Sequence, residues 1–187
     1  MRTALDVQQS LGLQQVRLMP LRDPPHREQP NTTATQRLAM LQAAIAEEPH
    51  LTVDERELQR EGKSYTIDTL RSLRRELGDD LPICWLLGTD AFRGFPDWHQ
   101  PEEILKLAHL VVMARPGETP AALYAERTTN DPKQLTSQSA GLIYHLPVTQ
   151  LEVSSTRIRS LIGQGLSPKY LLPDAVLRII EQERLYR

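Results

Sequence analysis

Residues 83–117 read ICWLLGTDAFRGFPDWHQPEEILKLAHLVVMARPG, and they decide the fold. Two short apolar runs, Ile83 to Leu87 (ICWLL) and Leu110 to Met113 (LVVM), are rich in β-formers and show no polar alternation. Runs of that kind suit central strands covered on both faces. Between them lies a helix-like run, Pro101 to Leu107, opened by a proline suited to the first helical position. Strand, helix, strand is the βα unit of a parallel sheet.

The same alternation extends both ways. Gln15 to Met19 (QVRLM) and Leu142 to His145 (LIYH) read as strands, and Leu51 to Val53 as a weaker one. Helix-like runs fill the gaps: Ala4 to Leu11, Thr35 to Glu47, Tyr65 to Leu77, Ser155 to Ile162 and Asp174 to Leu185. In the second of these, Leu38, Leu41, Ala44 and Ile45 recur at helical spacing. The stretch from Pro116 to Gly141, with Pro120, Asn130, Asp131 and Pro132, reads as a surface excursion. The expectation is one α/β domain over residues 1–187, with no internal repeat. Its start is unusual. Met1 sits directly on a helical pattern with no strand ahead of it, which points to a first strand missing, although some folds do begin with a helix.

Composition narrows the function. With 187 residues the chain can bury a core of its own, and 40% apolar with 25% charged residues argues against disorder. Twenty-two basic against 24 acidic residues leave a net charge of −2, so no basic footprint for nucleic acid follows. One cysteine, Cys84, excludes a disulfide framework and a cysteine zinc cluster. The five histidines form no H-E-x-x-H, and no apolar run is long enough to cross a membrane. The expectation is a cytoplasmic protein without nucleic-acid or membrane partners and without a protein-only metal site.

In open α/β sheets, ligands bind beyond the C-terminal ends of the strands. After Gln15 to Met19 come three prolines with Arg22, His26 and Arg27, either an anion contact or a solvated loop. Ser64-Tyr65-Thr66 opens a helix, with Ser64 as candidate cap; its free N–H groups could also hold an anion. Gly88-Thr89-Asp90 follows the next strand; glycine permits close backbone approach, and Asp90 could bind a ribose hydroxyl or cap a helix. Trp98, beside His99 in a proline-bounded loop, could stack on a planar ring or anchor the loop. Arg115 follows Leu110 to Met113, and His109 before that strand reads as structural. The most specific local signal is Val153 to Arg159 (VSSTRIR): three hydroxyls, Arg157 and Arg159 at a helix start. Arginine in a first turn opposes the macrodipole as a cap, yet its fork suits phosphate oxygens.

Taken in order, these segments resemble bacterial nicotinate-nucleotide adenylyltransferases, of the HxGH nucleotidyltransferase superfamily. The resemblance runs through Pro24 to Arg27 and Asp54-Glu55-Arg56-Glu57-Leu58 with Ser64-Tyr65-Thr66. It continues in Leu87 to Asp90, Phe95 to His99, Ala114 to Gly117, Ser154 to Arg159, and the tail from Leu172 to Tyr186. It implies a Rossmann-like, doubly wound, mostly parallel sheet. It also implies transfer of AMP from ATP to nicotinate mononucleotide, with Mg²⁺, releasing nicotinate adenine dinucleotide and pyrophosphate. By similarity, Thr66, Trp98 and His99 frame the nicotinate, with His26 and Arg27 near the mononucleotide. Gly88, Asp90, Arg115, Ser154, Thr156 and Arg159 serve the adenylyl and phosphate side, Thr156 and Arg159 as catalytic residues.

One departure stands out. The family opens with a strand and a loop carrying the two histidines of its signature, and Met1 falls just past them. Either the start codon is misplaced or the segment is lost; the chain as given is then expected to be poorly soluble and weakly active. Two alternatives remain open: a non-catalytic mononucleotide-binding module, and a sister adenylyltransferase for another acceptor such as phosphopantetheine. Trp98 beside Ser64-Tyr65-Thr66 argues for nicotinate. A homo-oligomer is left open.

Overall fold

The computed structural model describes residues 1–21, 32–114, 121–149 and 151–187. His26, Arg27 and Arg115 therefore lie outside the described residues, as does Arg22. The strands are β1 (Val16–Leu18), β2 (Leu51–Val53), β3 (Cys84–Gly88), β4 (His109–Ala114), β5 (Thr128–Thr129) and β6 (Ile143–Pro147). The helices are α1 (Arg2–Leu11), α2 (Ala34–Ile45), α3 (Thr66–Leu77), α4 (Thr89–Arg93), α5 (Pro101–Leu107), α6 (Ser155–Gly163) and α7 (Asp174–Gln182).

Every pairing is parallel. β1 pairs with β2, Val16 opposite Leu51, and a second sheet runs in the order β3-β4-β6-β5. β4 is its centre: all its residues but Met113 are buried, as expected of a strand with both faces covered. On one face Leu110 and Val112 meet Ile67, Leu70 and Leu73 of α3, Ile104 and Leu105 of α5, and Phe92 and Phe95. On the other, Val111 packs with Val7 of α1 and with Leu135, Leu146 and Val148. The sheet is thus doubly wound. α1 also reaches the first sheet, where Ala4, Leu5 and Leu13 pack around Val16, Ile45 and Leu51. No helix among the described residues is long and apolar enough to cross a membrane.

Three sequence expectations are corrected. The 116–141 stretch is not a mere excursion in its described part, residues 121–141. Thr128–Thr129 joins the sheet beside β6, and Thr129 and Leu135 are buried. α4 follows β3 directly, a five-residue helix too short to show a periodicity. Ser64 is not the cap of α3: Tyr65 holds that position and no side chain caps the helix.

Candidate adenylyl-transfer site

α3 is the element on which one half of the candidate site is built, and it is held from several sides. Arg74, 7% exposed, donates to the carbonyls of Leu107 (2.6 and 2.9 Å), Ser139 (2.9 Å), Leu81 (2.6 Å), Gly78 (3.1 Å) and Asp79 (3.2 Å). One guanidinium thereby fixes α3 to the end of α5 and to the approach to β3. Burial pulls the Arg74 pKa below its usual value, opposed by Asp79 and Asp80.

The Asp54 to Leu58 motif is the second brace. Asp54 follows β2 and bonds back to Leu18 through its N–H (3.0 Å). Its carboxylate accepts from Arg56 Nε (2.8 and 2.9 Å) and pairs with Arg17 (3.4 Å), while Glu76 of α3 takes Arg17 at 2.8 Å and also pairs with Arg56. Burial pushes the Asp54 carboxyl up, but the Arg56 hydrogen bonds outweigh it and hold it below the usual carboxylate range. Buried Glu57 accepts from Thr69 Oγ1 (2.6 Å), which in turn accepts from Arg60 (3.0 Å). These contacts clamp the 54–65 segment along α3 and so place Tyr65 and Thr66 at its start.

The loop after β3 meets that start. Phe95 is fully buried and serves as an aromatic hub, with Phe92 at 6.4 Å, Trp98 at 5.5 Å and Tyr124 at 5.7 Å between ring centroids. Trp98 rests edge-on against Phe95 and its N–H donates to the Phe95 carbonyl (3.0 Å), yet it is only half-buried. It is thus a loop anchor with part of its surface open. Next to it, His99 lies 4.7 Å from the Tyr65 ring. Gln100 holds φ 58°, ψ 58°, the left-handed region, immediately before a proline. A non-glycine residue there is strained, and such strain gathers at functional sites. Its amide oxygen accepts from Arg71 of α3 (2.8 Å), and its amide nitrogen lies 3.3 Å from His99 Nε2. The Tyr65–His99 contact therefore sets the Thr66 end of α3 beside the loop that carries Trp98 and His99. Sequence reasoning missed Tyr65 and Gln100 as side chains of this group; the pairing is tertiary, and only a pre-proline residue in a polar loop hinted at strain.

The other candidates lie at the C-terminal edge of the second sheet. Register places Gly88 opposite Met113, and Ala114 opposite Pro147, so the C-terminal ends of β3, β4 and β6 share one edge. Gly88 has an ordinary φ of −78°, and a Cβ there would meet nothing within 4 Å. Internal packing does not demand glycine at this position. Asp90 is 76% exposed and pairs with Arg93 (2.9 Å); it does not cap α4, whose cap position is Gly88. At α6 a cap forms: Ser154 Oγ accepts from the Arg157 N–H (3.1 Å). Arg159 Nε folds back to the Ser155 carbonyl (3.2 Å), and Thr156, Arg157 and Arg159 are all exposed. His109 is structural as expected, wholly buried, with Nε2 on the Gln138 carbonyl (3.0 Å) and Nδ1 accepting from Leu142 N–H (3.1 Å). His145 was unforeseen: it sits edge-on to Phe92 (5.6 Å) with Nδ1 buried and unpartnered among the described residues.

Comparisons with known proteins bear on the family and the fold. Residues 1–161 match the family model described as cytidylyltransferase-like. The whole chain aligns with a protein named probable nicotinate-nucleotide adenylyltransferase from Methylococcus capsulatus, 45% identical and covering 91% of that protein. A protein of the same name from Pseudomonas aeruginosa is 47% identical, with 90% of it covered. Among solved structures, Plasmodium falciparum nicotinic acid mononucleotide adenylyltransferase complexed with APC superposes with a TM-score of 0.67. That match has 12% identity and covers 97% of this chain and 88% of that one. The same enzyme complexed with NaAD gives 0.66 at 14% identity, covering 93% and 83%. At such identity the structures speak for the fold, and the bacterial relatives for descent: the chain belongs to the cytidylyltransferase-like family, among the bacterial nicotinate-nucleotide adenylyltransferases.

Proposed function

We propose that this chain transfers the adenylyl group of ATP to nicotinate mononucleotide. The carrying observation is the alignment of its entire length, at 45–47% identity, with proteins of that name. The open part of Trp98 receives the pyridine ring by stacking, with Tyr65 and His99 bounding the same recess. α3 begins without a side-chain cap, so amide donors at its first turn, next to Thr66, are available to the nicotinate carboxylate. His26 and Arg27 approach the mononucleotide phosphate.

ATP enters as its Mg²⁺ complex along the C-terminal edge. Gly88 leaves room for close approach of the nucleotide, and Asp90 meets the ribose. Arg115 and the Ser154, Thr156 and Arg159 group meet the phosphates. An oxygen of the acceptor phosphate attacks the α-phosphorus; a new P–O–P bridge forms, and the bond to the β-phosphate breaks with its electron pair leaving on pyrophosphate. No protein nucleophile is needed, so rate comes from holding the two phosphates in line and neutralising charge on the leaving group. Arg159 would supply that charge from one turn into α6, four residues after Ser155. Residues 1–187, taken as one adenylyltransferase unit, contain no H-x-G-H.

The test is pyrophosphate release with MgATP and each of three acceptors: nicotinate mononucleotide, nicotinamide mononucleotide and phosphopantetheine. Release that is fastest with the nicotinate nucleotide supports the reading, whatever its absolute rate. Faster release with phosphopantetheine makes the chain a sister enzyme, and calorimetric binding of both nucleotides without release makes it a non-catalytic module.

A further inference from the structure

The side chains around the acceptor recess are held in two different ways. Trp98 packs against the core through Phe95, whereas Tyr65 and His99 are exposed and belong to no buried cluster. Among the described residues, the partners of His99 are the Tyr65 ring at 4.7 Å and the Gln100 amide nitrogen, 3.3 Å from Nε2. An exposed imidazole that leaned on one exposed ring alone would turn freely about its side-chain torsions. What fixes it is Gln100.

The backbone at residue 100 is one that glycine enters freely and that residues with a Cβ enter at a cost, with φ 58° and ψ 58°. Gln100 also precedes Pro101, and a residue before proline is pushed towards extended backbone instead. Its carbonyl accepts from the Ile104 N–H (3.1 Å) to begin α5, a bond that glycine would make equally well. The backbone therefore gives no reason for a glutamine. Its side chain must do something that glycine could not.

That side chain closes a circuit. Arg71 Nη2 donates to the Gln100 amide oxygen (2.8 Å), and a guanidinium has donors only, so the oxygen is the atom that must face it. The amide nitrogen is then left for His99. Arg71 and Tyr65 belong to one element: Tyr65 is the cap position of α3, and Arg71 lies in its second turn, steadied by Asp68 (3.7 Å). The contacts thus run from α3 through Arg71, Gln100 and His99 to Tyr65, and so return to α3. That helix is itself fixed by the five carbonyls around Arg74. Bonds this exposed contribute little to folding. Their effect is on where the imidazole points.

We infer that Gln100 is a positioning residue of the acceptor recess: its amide ties the His99 ring to Arg71 and holds it against Tyr65 before the pyridine ring arrives. This rests on the adenylyl-transfer reading, which gives the recess to nicotinate mononucleotide. The strain at residue 100 is what the fold tolerates to keep that amide in place. Ordering one side chain in advance removes its ordering cost from binding, about threefold to tenfold in affinity.

The experiment titrates nicotinate mononucleotide and MgATP calorimetrically into the whole chain, Gln100→Gly, Arg71→Met and the double variant. Glycine removes the strain along with the side chain, so the urea midpoint of Gln100→Gly should stay close to that of the wild type. Its affinity for nicotinate mononucleotide should nevertheless fall about threefold to tenfold, with that for MgATP unchanged. Arg71 is not bonded to the imidazole, yet Arg71→Met should show the same loss. The double variant should be no worse than either single one, because both break one circuit. Unchanged acceptor affinity in Gln100→Gly, losses that multiply in the double variant, or a loss matched by a clearly lower urea midpoint overturns the inference. A second readout is free of substrate. In protein carrying isotope-labelled histidine, the His99 ring resonances, identified by their loss in His99→Asn, should move in Gln100→Gly and Arg71→Met alike. Ring signals that move in neither variant overturn the tie. If the wild-type chain binds no nicotinate mononucleotide, the adenylyl-transfer reading fails, and the ring signals alone decide the tie.

Discussion

If Trp98 is the platform for the pyridine ring, truncating it should separate acceptor binding from everything else the site does. In Trp98→Ala the indole's stacking contribution, about 1–3 kcal/mol for an aromatic under a base, is lost. At 1.4 kcal/mol per decade this is about fivefold to 150-fold in affinity for nicotinate mononucleotide. The same substitution removes the edge contact to Phe95 at 5.5 Å, which costs about 0.5–1.5 kcal/mol of stability. Trp98→Phe tells the two apart, since a phenyl ring keeps the contact with Phe95 and a smaller stacking surface. The affinities should then rank wild type, Phe, Ala, while stability recovers nearly fully in the Phe variant. Calorimetric titration with nicotinate mononucleotide, repeated with ATP, reads the first quantity, and urea denaturation the second. ATP affinity should not move, because the proposal assigns ATP to Gly88 and the α6 group and only the acceptor to Trp98. Unchanged acceptor affinity in a folded Trp98→Ala protein would leave Trp98 as an anchor for Phe95 and nothing more.

Arg159→Ala should lower turnover by about 10²-fold, the cost of one charge-stabilising donor, with Arg157→Ala milder; equal, small effects in pyrophosphate release would reduce both arginines to helix-end residues. Arg74→Met, which strands five carbonyls at the root of α3, should cost about 3–5 kcal/mol in urea denaturation; a loss under 1 kcal/mol would show that water replaces the guanidinium readily. Burial holds the pKa of His145, and likewise of His109, below the usual imidazole value. The unfolded chain therefore takes up protons first: the stability these rings contribute is complete above about pH 6.5 and is lost as pH falls towards their folded values. His145→Leu removes one such proton uptake without orphaning a partner, so its denaturation midpoint should fall less steeply below pH 6.5 than that of the wild type; parallel slopes would refute the assignment.

Much of this fold is legible because it is repetitive. The apolar run at Leu110 to Met113 could only be a strand covered on both faces, and β4 is one. Pro101 set the start of α5 to the residue, since a proline tolerates only the first turn. What escaped is what tertiary contacts decide. Thr128 and Thr129 carry no strand signal of their own; they pair because β6 offers an edge. Ser64 has the chemistry of a cap, yet the chain turns one residue later, at Tyr65, whose ring is then free to meet His99. Glu57 and Asp54 are quoted with equal weight in the motif they share, and only the structure shows that both are spent inside the protein, on Thr69 and Arg56.

The distribution of rigidity matches the chemistry asked of the site. Transfer between two bound phosphates needs the acceptor held still while the donor's charge is redistributed. α3, to which the proposal gives the acceptor side, is fixed by Arg74, by the Asp54–Arg56–Glu76 pairs and by Glu57 through Thr69. α6, which in this reading carries the arginines of the donor side, has no buried residue, and its start is held by the Ser154 cap and the Arg159–Ser155 hydrogen bond, both exposed. Local opening is cheapest where few apolar contacts hold an element. On the proposed assignment, the phosphate end of the site can thus adjust as pyrophosphate forms and departs, while the pyridine end, built on a helix with three braces, keeps the attacking oxygen in place.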